Sequence, residues 1–335
     1  MNALPKTLVK CLFALVCTIL LLPNTFFGQE KIPTESNKEG VGKMLPDSAT
    51  LKKHGLTEEI FTIYESHEFN GMSYRLMKPI DYDAEKTYPL ILSLHGAGGK
   101  GSNNIRNIRR WNGILADKEL RLRHPCFVLV PQTTIAWRDP AKAPPLPTDE
   151  DIANMPKHWQ KAIEKLKAKS KSDFEMKGDM PIVLEIIETL KKEFKIDSDR
   201  IYVLGHSMGG FGSWMAIWEN PELFAAAIPS SGGLPPWYDY ARIKDVPIWA
   251  FHGEDDPVVP AVMSRDIFKA MKKMDGNMKY TELPDIGHAA PGFRYTGDDE
   301  SKGHITQYAS DRCDITPEVW DWLFKQNLSD KMPKP

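Results

Sequence analysis

The stretch Ile201-Tyr-Val-Leu-Gly-His-Ser-Met-Gly-Gly210 narrows the folds open to this chain more than any other. Four apolar residues run into a Gly-x-Ser-x-Gly turn, and an aromatic, helix-like stretch from Phe211 to Trp218 follows. A short, near-continuous apolar run fits a strand buried on both faces. Strand, tight turn and helix in succession are the context in which a Gly-x-Ser-x-Gly serine becomes a nucleophile. The glycines let the chain turn sharply and pass neighbouring backbone closely. Such a turn would lift the Ser207 hydroxyl off the sheet's edge and set the Met208 N–H at a helix N-terminus, where a developing oxyanion is favoured.

Similar apolar runs recur at Pro89–Leu94, Cys126–Val130, Ala225–Ile228 and Pro247–Phe251, with a more polar one at Lys279–Leu283. Helical spacing separates them. Ile182, Ile186, Ile187 and Leu190 share a face, as do Ile267, Phe268, Met271 and Met274, and Pro317–Lys325 predicts a C-terminal helix. Strands alternating with helices imply an α/β fold with a mostly parallel central sheet flanked by helices. Ile60–Tyr64 and Met72–Met77 read as strands around Asn70-Gly71, which predicts an antiparallel N-terminal hairpin. Residues 139–180 break the alternation. They open with prolines, continue as a Lys-rich helical piece from His158 to Lys171, and read equally as a cap insertion or a solvated excursion.

The 335 residues are 41% hydrophobic with a net charge of −2, a balance that supports one large core and argues against nucleic acid as a partner. At the start, Lys6 and Lys10 precede the apolar run Cys11–Leu22, which Pro23 ends. That run is shorter than the ~20 apolar residues of a spanning helix. Residues 1–28 are therefore expected to be a cleaved signal peptide, giving an exported protein with no stable membrane span after cleavage. Residues 29–55 read as a linker or loosely ordered arm, and 56–328 as the folded domain. Cys126 and Cys313 remain after cleavage; export allows a disulfide between them, while the apolar neighbours of Cys126 fit a buried thiol equally well.

A serine hydroxyl needs a base, and in this architecture the order is serine, acid, histidine. His288 follows a predicted strand in Pro284-Asp-Ile-Gly-His288 and is the expected base. His304 has no strand before it, His206 is held in the turn and expected to point away, and His252 is expected to shape its own loop. Asp256, in Phe251-His-Gly-Glu-Asp-Asp-Pro257, is the expected orienting acid, with Asp255 its rival by one residue. Leu94-His-Gly-Ala-Gly-Gly99 supplies the second oxyanion donor, assigned to the Ala97 N–H with Gly98 second. Without Gly-Lys-Ser/Thr that loop is a weak phosphate motif. Asp298-Asp-Glu300 lacks a calcium-loop spacing, so neither metal nor cofactor is expected. Trp137 and Trp237 are candidate substrate-binding residues, Trp237 the better placed.

From Tyr74 onward the chain resembles the α/β-hydrolase superfamily, and within it the secreted phospholipase/carboxylesterase-like group near feruloyl esterases and polyhydroxybutyrate depolymerases. The resemblance covers about residues 70–325. It rests on Tyr88–Gly99, Pro131-Gln132 with Trp137, Asp199–Trp214, Phe224–Pro229 with Gly232-Gly233, Trp249–Pro260 and Trp320–Gln326. It places the family's HG-x-x-D acid on Asp256 and its GH motif on Gly287-His288. It implies a serine carboxylic-ester hydrolase acting on a small-molecule or polysaccharide-linked ester, such as feruloyl or acetyl esters of plant polysaccharides. A prolyl-oligopeptidase-type peptidase shares these residues but carries a propeller domain, which is not expected here, so that reading ranks lower. A non-catalytic binding protein would have no need of all three. The 139–180 and 289–314 segments depart from the family pattern.

Overall fold

The computed structural model describes residues 46–331 except 54, 170–176 and 290. The expected signal peptide, and the expected arm up to residue 45, lie outside the described residues. The end of that arm is helical: α1, Ser48–Lys53, buries Leu51. Helix α2 spans Glu58–Ile63, which corrects the strand expected at Ile60–Tyr64. The β-prone Ile and Phe are outweighed by a local start signal. The Thr57 hydroxyl caps the Ile60 N–H at 3.1 Å, and Glu58 and Glu59 occupy the first turn.

The hairpin itself is present, shifted along the chain. Strands β1, Tyr64–Phe69, and β2, Met72–Met77, pair antiparallel around Asn70 and Gly71, both with positive φ. The remaining strands are β3 (Tyr88–Leu94), β4 (Phe127–Pro131), β5 (Ile196–His206), β6 (Ala226–Ser230), β7 (Ile248–Gly253), β8 (Met278–Leu283) and β9 (Ile305–Tyr308). They form one nine-stranded sheet in the order β1-β2-β4-β3-β5-β6-β7-β8-β9. β4, β3, β5, β6, β7 and β8 run parallel, and the hairpin and β9 add antiparallel edges. The mostly parallel sheet with its antiparallel N-terminal hairpin is the fold the sequence predicts.

The strand period of two divides the core. Leu90, Leu92, Leu94, Phe127, Leu129, Ile201 and Val203 pack on one face, with α7 (Met180–Glu193), α8 (Met208–Glu219) and α9 (Val262–Lys273). Ile91, Val128, Val130, Tyr202 and Leu204 face the other layer. That layer contains α3 (Arg110–Leu115), α4 (Lys118–Arg123) and α10 (Val319–Lys325). Cys126 and Cys313 are both free and buried, and burial pushes the Cys126 thiol up to about 12. No helix among the described residues is long and apolar enough to cross a membrane.

Between α4 and α7 lie α5, Asp149–Ala153, and α6, Lys157–Lys169. The neck of this excursion is closed by Asp179 N to Ala136 O at 3.0 Å and Met180 N to Arg138 O at 3.2 Å. Its helix α6 is docked. Trp159, 3% exposed, packs with Val259 and Met263, and both His158 and Trp159 bond to Asp266 of α9, at 2.6 and 3.0 Å.

A lysine lies within the core. Lys279 is 1% exposed, donates to Thr316 O at 2.8 Å, and sits 3.3 Å from the Trp249 ring centroid and 5.3 Å from that of Trp322. Burial pushes its pKa down to about 7 against the pull of nearby Asp314. The unfolded chain keeps this proton to about pH 10.5, so between the two values it binds more protons than the folded chain. Stability contributed at this position therefore rises with pH across that window. Lys279→Met is expected to raise stability by roughly 1–3 kcal/mol at pH 6, a gain that shrinks by pH 9. Urea midpoints at both pH values measure it, and a pH-independent gap contradicts the reading.

Candidate active site

β3 sits between β4 and β5 in the sheet. The chain leaves the C-terminal end of β3 toward β4 and the C-terminal end of β5 toward β6, so the two loops diverge. Such a switch point opens a crevice where parallel α/β sheets hold their ligands. Leu94 is in register with Gly205, so the His95–Gly99 turn and Ser207 emerge side by side.

Ser207 has φ 58° and ψ −120°, a left-handed-side conformation that is strained for a residue with a Cβ. Its N–H bonds to Ser230 O at 3.0 Å and its carbonyl accepts from Phe211 N at 2.9 Å, so both sides of the turn are tied down. The flanking glycines are steric requirements. A Cβ on Gly209 would collide with the Leu94 carbonyl, and one on Gly205 would lie 2.7 Å from the same oxygen. Gly209→Ala is accordingly expected to lower stability by roughly 3 kcal/mol or more, because backbone cannot yield as a side chain can. Thermal unfolding measures the loss; a near-neutral result contradicts the packing.

His288 Nε2 lies 2.9 Å from Ser207 Oγ, and His288 Nδ1 lies 2.7 Å from Asp256 Oδ2. Asp256 is 7% exposed, and its Oδ1 accepts from the N–H groups of Val258 and Val259, each at 2.8 Å. Burial alone would raise its pKa. The His252 ring, 3.5 Å away, and hydrogen bonds from His288, Val259 and Val258 outweigh that and hold it well below the usual carboxylate range. An ionised Asp256 fixes the proton on His288 Nδ1, which leaves Nε2 free to accept from the serine. Asp255 is exposed and takes no part in this line.

The other histidines are placed elsewhere. His252 is fully buried, bonded to Ser264 Oγ at 2.7 Å and Val259 O at 2.8 Å, so neither ring nitrogen is available to Ser207. His304 pairs with Asp299 in an isolated bridge. The Asp298 carboxylate accepts from Tyr295 and Thr306 at 2.7 Å each, which uses it in the local loop. His206 corrects an expectation. Its ring does not point away but lies 4.7 Å from the His288 ring and 6.1 Å from Trp111. Like Tyr202 and Leu204 it is an even-numbered residue of β5, and that parity carries it toward Trp111. Burial, with the His288 charge second, pushes its pKa down to about 4.

With this geometry in view, the chain can be set beside known proteins. Residues 140–294 match the family described as Phospholipase/Carboxylesterase. A probable feruloyl esterase C of Aspergillus niger is 25% identical over 197 residues, 58% of either chain. The cutinase est1 of Thermobifida alba is 32% identical over 101 residues, 30% of this chain and 32% of its own. The crystal structure of a thermostable esterase is 32% identical, with a TM-score of 0.57 over 80% of this chain and 64% of that one. The chain has the α/β-hydrolase fold. It spans less than two thirds of the length of each of these relatives.

The expected oxyanion donors of this α/β-hydrolase chain flank the serine. Met208 and Ala97 each begin a helical turn, α8 and a 3-10 turn at Ala97–Gly99, so their N–H groups have no partner within it. A Cβ on Gly96 would lie 3.1 Å from His206 O and 3.4 Å from Ser207 Cβ, which shows how closely the Ala97 turn abuts the serine. His95 holds that turn. Its Nε2 accepts from Thr133 N at 3.1 Å, its Nδ1 is 2.8 Å from Gly96 O, and burial pushes its pKa down to about 4. The ring is therefore neutral with its proton on Nδ1.

Trp137 requires a correction. It is 1% exposed, its indole N–H donates to His95 O at 2.9 Å, and it fills the space left by the missing side chain of Gly212. It buttresses the Ala97 turn, and its enclosed ring presents no open face. Trp237 is half-buried beside Tyr238, with an indole nitrogen that has no hydrogen-bond partner among the described residues. Arg109, which sequence reading passes over, lies against the same turn: a Cβ on Gly98 would be 3.9 Å from its Nη2. No spacing or motif marks that contact, because it is made in space by α3.

Proposed function

We propose that the protein is an exported serine carboxylic-ester hydrolase that works through an acyl-enzyme. The observation that carries this reading is the unbroken line from Ser207 through His288 to Asp256, with the serine on a strained turn at the sheet's switch point. In the proposed reaction, Ser207 Oγ attacks the ester carbonyl while His288 Nε2 takes its proton. The N–H groups of Met208 and Ala97 hold the oxygen that becomes negative. His288 then protonates the departing alcohol. Water, activated by the same ring, attacks the acyl-serine and releases the acid. Asp256 holds the imidazole and stabilises its cation. Protein groups suffice for every step.

Feruloyl and acetyl esters of plant polysaccharides are the proposed substrates. The support is that relatives are named as a probable feruloyl esterase and as a bifunctional acetylxylan esterase/xylanase. Residues 139–180 are proposed to cap the site, since α6 packs on Val259, three residues from Asp256. Trp237 is the proposed aromatic contact for substrate. Residues 1–28 are proposed to direct export. The test is phenylmethylsulfonyl fluoride labelling followed by peptide mass mapping, alongside hydrolysis of p-nitrophenyl acetate, methyl ferulate, acetylated xylan and a peptide amide. A sulfonylated Ser207 with ester turnover supports the reading. Labelling elsewhere, or cleavage of the amide alone, overturns it.

A further inference from the structure

Arg109 is a half-buried cation that pairs with no acid among the described residues. Its position is built from below. Its N–H donates to Asn112 Oδ1 at 2.7 Å, while Asn112 Nδ2 and Trp111 Nε1 donate to the buried Ser93 hydroxyl of β3 at 3.0 and 2.9 Å. Tyr64 OH adds a bond to Asn112 O at 2.7 Å. The start of α3 is thus fixed to the strand that carries the oxyanion turn. From there the guanidinium reaches Gly98, whose Cβ position would lie 3.9 and 4.0 Å from its two terminal nitrogens.

Its hydrogen bonding is nearly empty. The one partner among the described residues is Arg106 O, at the long distance of 3.5 Å. Burial, with Arg110 second, lowers its pKa from the ordinary arginine value, yet an arginine keeps its charge. The nearby imidazoles His95 and His206 are both held neutral, so neither adds to nor cancels that charge. An unpaired, partly desolvated charge is unfavourable, and other buried or half-buried arginines among the described residues are given partners. Arg265 is paired with Glu282, and Arg75 donates to two backbone carbonyls. A cleft of about 630 Å³ at the opposite end of the strands also contains cations. There Arg123 faces Glu318 and Asp321, Arg200 faces Asp197, and Lys325 faces Asp314. That cleft is internally neutralised, and Arg109 is not.

We propose that Arg109 binds a carboxylate carried by the substrate within a few bonds of the scissile carbonyl, so that the enzyme prefers acidic esters. The proposal rests on the ester-hydrolase reading and adds the substrate class. An ester carbonyl held by the Ala97 N–H lies one residue along the turn from the Gly98 contact, and a guanidinium's planar fork matches a carboxylate with two parallel hydrogen bonds. The carboxylate belongs to either the acyl or the alcohol half, since Arg109 flanks the turn that holds the carbonyl between them.

Two matched pairs separate these halves. On the acyl side, mono-p-nitrophenyl glutarate is compared with p-nitrophenyl valerate, in which a methyl replaces the carboxylate. On the alcohol side, 3-carboxyphenyl butyrate is compared with 3-methylphenyl butyrate. The kcat/KM ratio of the acidic to the neutral ester is read for wild type, Arg109→Met and Arg109→Lys. The expected result is that in one pair the ratio falls about 10–100-fold in Arg109→Met, recovers in part in Arg109→Lys, and in wild type declines with added salt. A ratio unchanged by Arg109→Met in both pairs, including an equal fall for acidic and neutral esters, overturns the proposal. Ser207→Ala run on the same pairs reports on the hydrolase reading separately. If no ester is turned over, calorimetric titration of glutarate decides for Arg109 alone: binding lost in Arg109→Met supports the carboxylate site, and no binding by wild type overturns it.

Discussion

Ser207→Ala is expected to lower kcat for p-nitrophenyl esters by about 10⁶-fold, with the folded structure retained. The residue that attacks cannot be replaced by its neighbours, because His288 Nε2 is directed at Ser207 Oγ and at no other hydroxyl among the described residues. What should remain in the variant is the proposed binding of the carbonyl by the Met208 and Ala97 N–H groups, worth about 10³–10⁴ over water in comparable serine enzymes. The same position gives a second, opposite effect on stability. Alanine keeps the strained φ of 58° and so gains little. Glycine adopts that conformation without strain. Ser207→Gly is expected to release about 1–3 kcal/mol of backbone strain, offset by about 1 kcal/mol from the greater freedom of the unfolded glycine. Steady-state kinetics and thermal unfolding on both variants test the pair. Wild-type turnover in Ser207→Ala would reject the nucleophile. A Ser207→Gly variant less stable than Ser207→Ala would reject the stored strain.

Asp256→Asn is the second large loss, on the order of 10⁴ in kcat. An asparagine can retain the two bonds from Val258 and Val259 through its carbonyl oxygen, so the loop need not move. Its amide nitrogen then faces His288 Nδ1. A donor there favours the imidazole tautomer with the proton on Nε2, which cannot accept from serine. The variant also removes the negative charge that stabilises the imidazolium formed during attack. KM should change far less than kcat, since Asp256 lies behind the ring, away from substrate. A loss confined to KM, or one of less than about tenfold, would mean that Asp256 only shapes its loop. Asp256 also carries a pH signature. Its folded pKa is depressed, so the stability it contributes is present above the ordinary aspartate value and is lost as pH falls through the lower folded value. Asp256→Asn should therefore narrow its stability deficit in strong acid.

The parts of this molecule legible in the sequence are those where burial is symmetric or where order along the chain is diagnostic. The parallel strands read as apolar runs because both of their faces are covered, as Leu90 to Leu92 illustrate. Ser207, His288 and the Asp255-Asp256 pair could be placed because each follows a strand end, and strand ends converge at the switch point. Choosing between the two aspartates by geometry required the loop itself, in which Val258 and Val259 N–H groups take hold of Asp256. Helix α2 was misread because β-branched residues hid a Thr57 cap. The edge strand β9 buries only Thr306, so its alternation is too faint to register. Trp137 looked like a pocket wall because aromatic residues serve both roles, and only its fully enclosed ring distinguishes them. The approach of Arg109 to Gly98 and of His206 to His288 is purely tertiary, and no local pattern encodes it.

The closed neck at Ala136–Arg138 and Asp179–Met180 brings the two ends of the segment between them side by side. Its two ends meet whatever lies beyond them, and the entropy of closing a loop grows only slowly with its length. Exchange of the stretch from Asp139 to Gly178 for a shorter or longer one is expected to leave Trp137, and the Ala97 turn it supports, in place. On the proposed reading of this segment as a cap, lineages of such a chain can vary what the crevice admits by insertion and deletion at the neck, and an engineer has the same graft point.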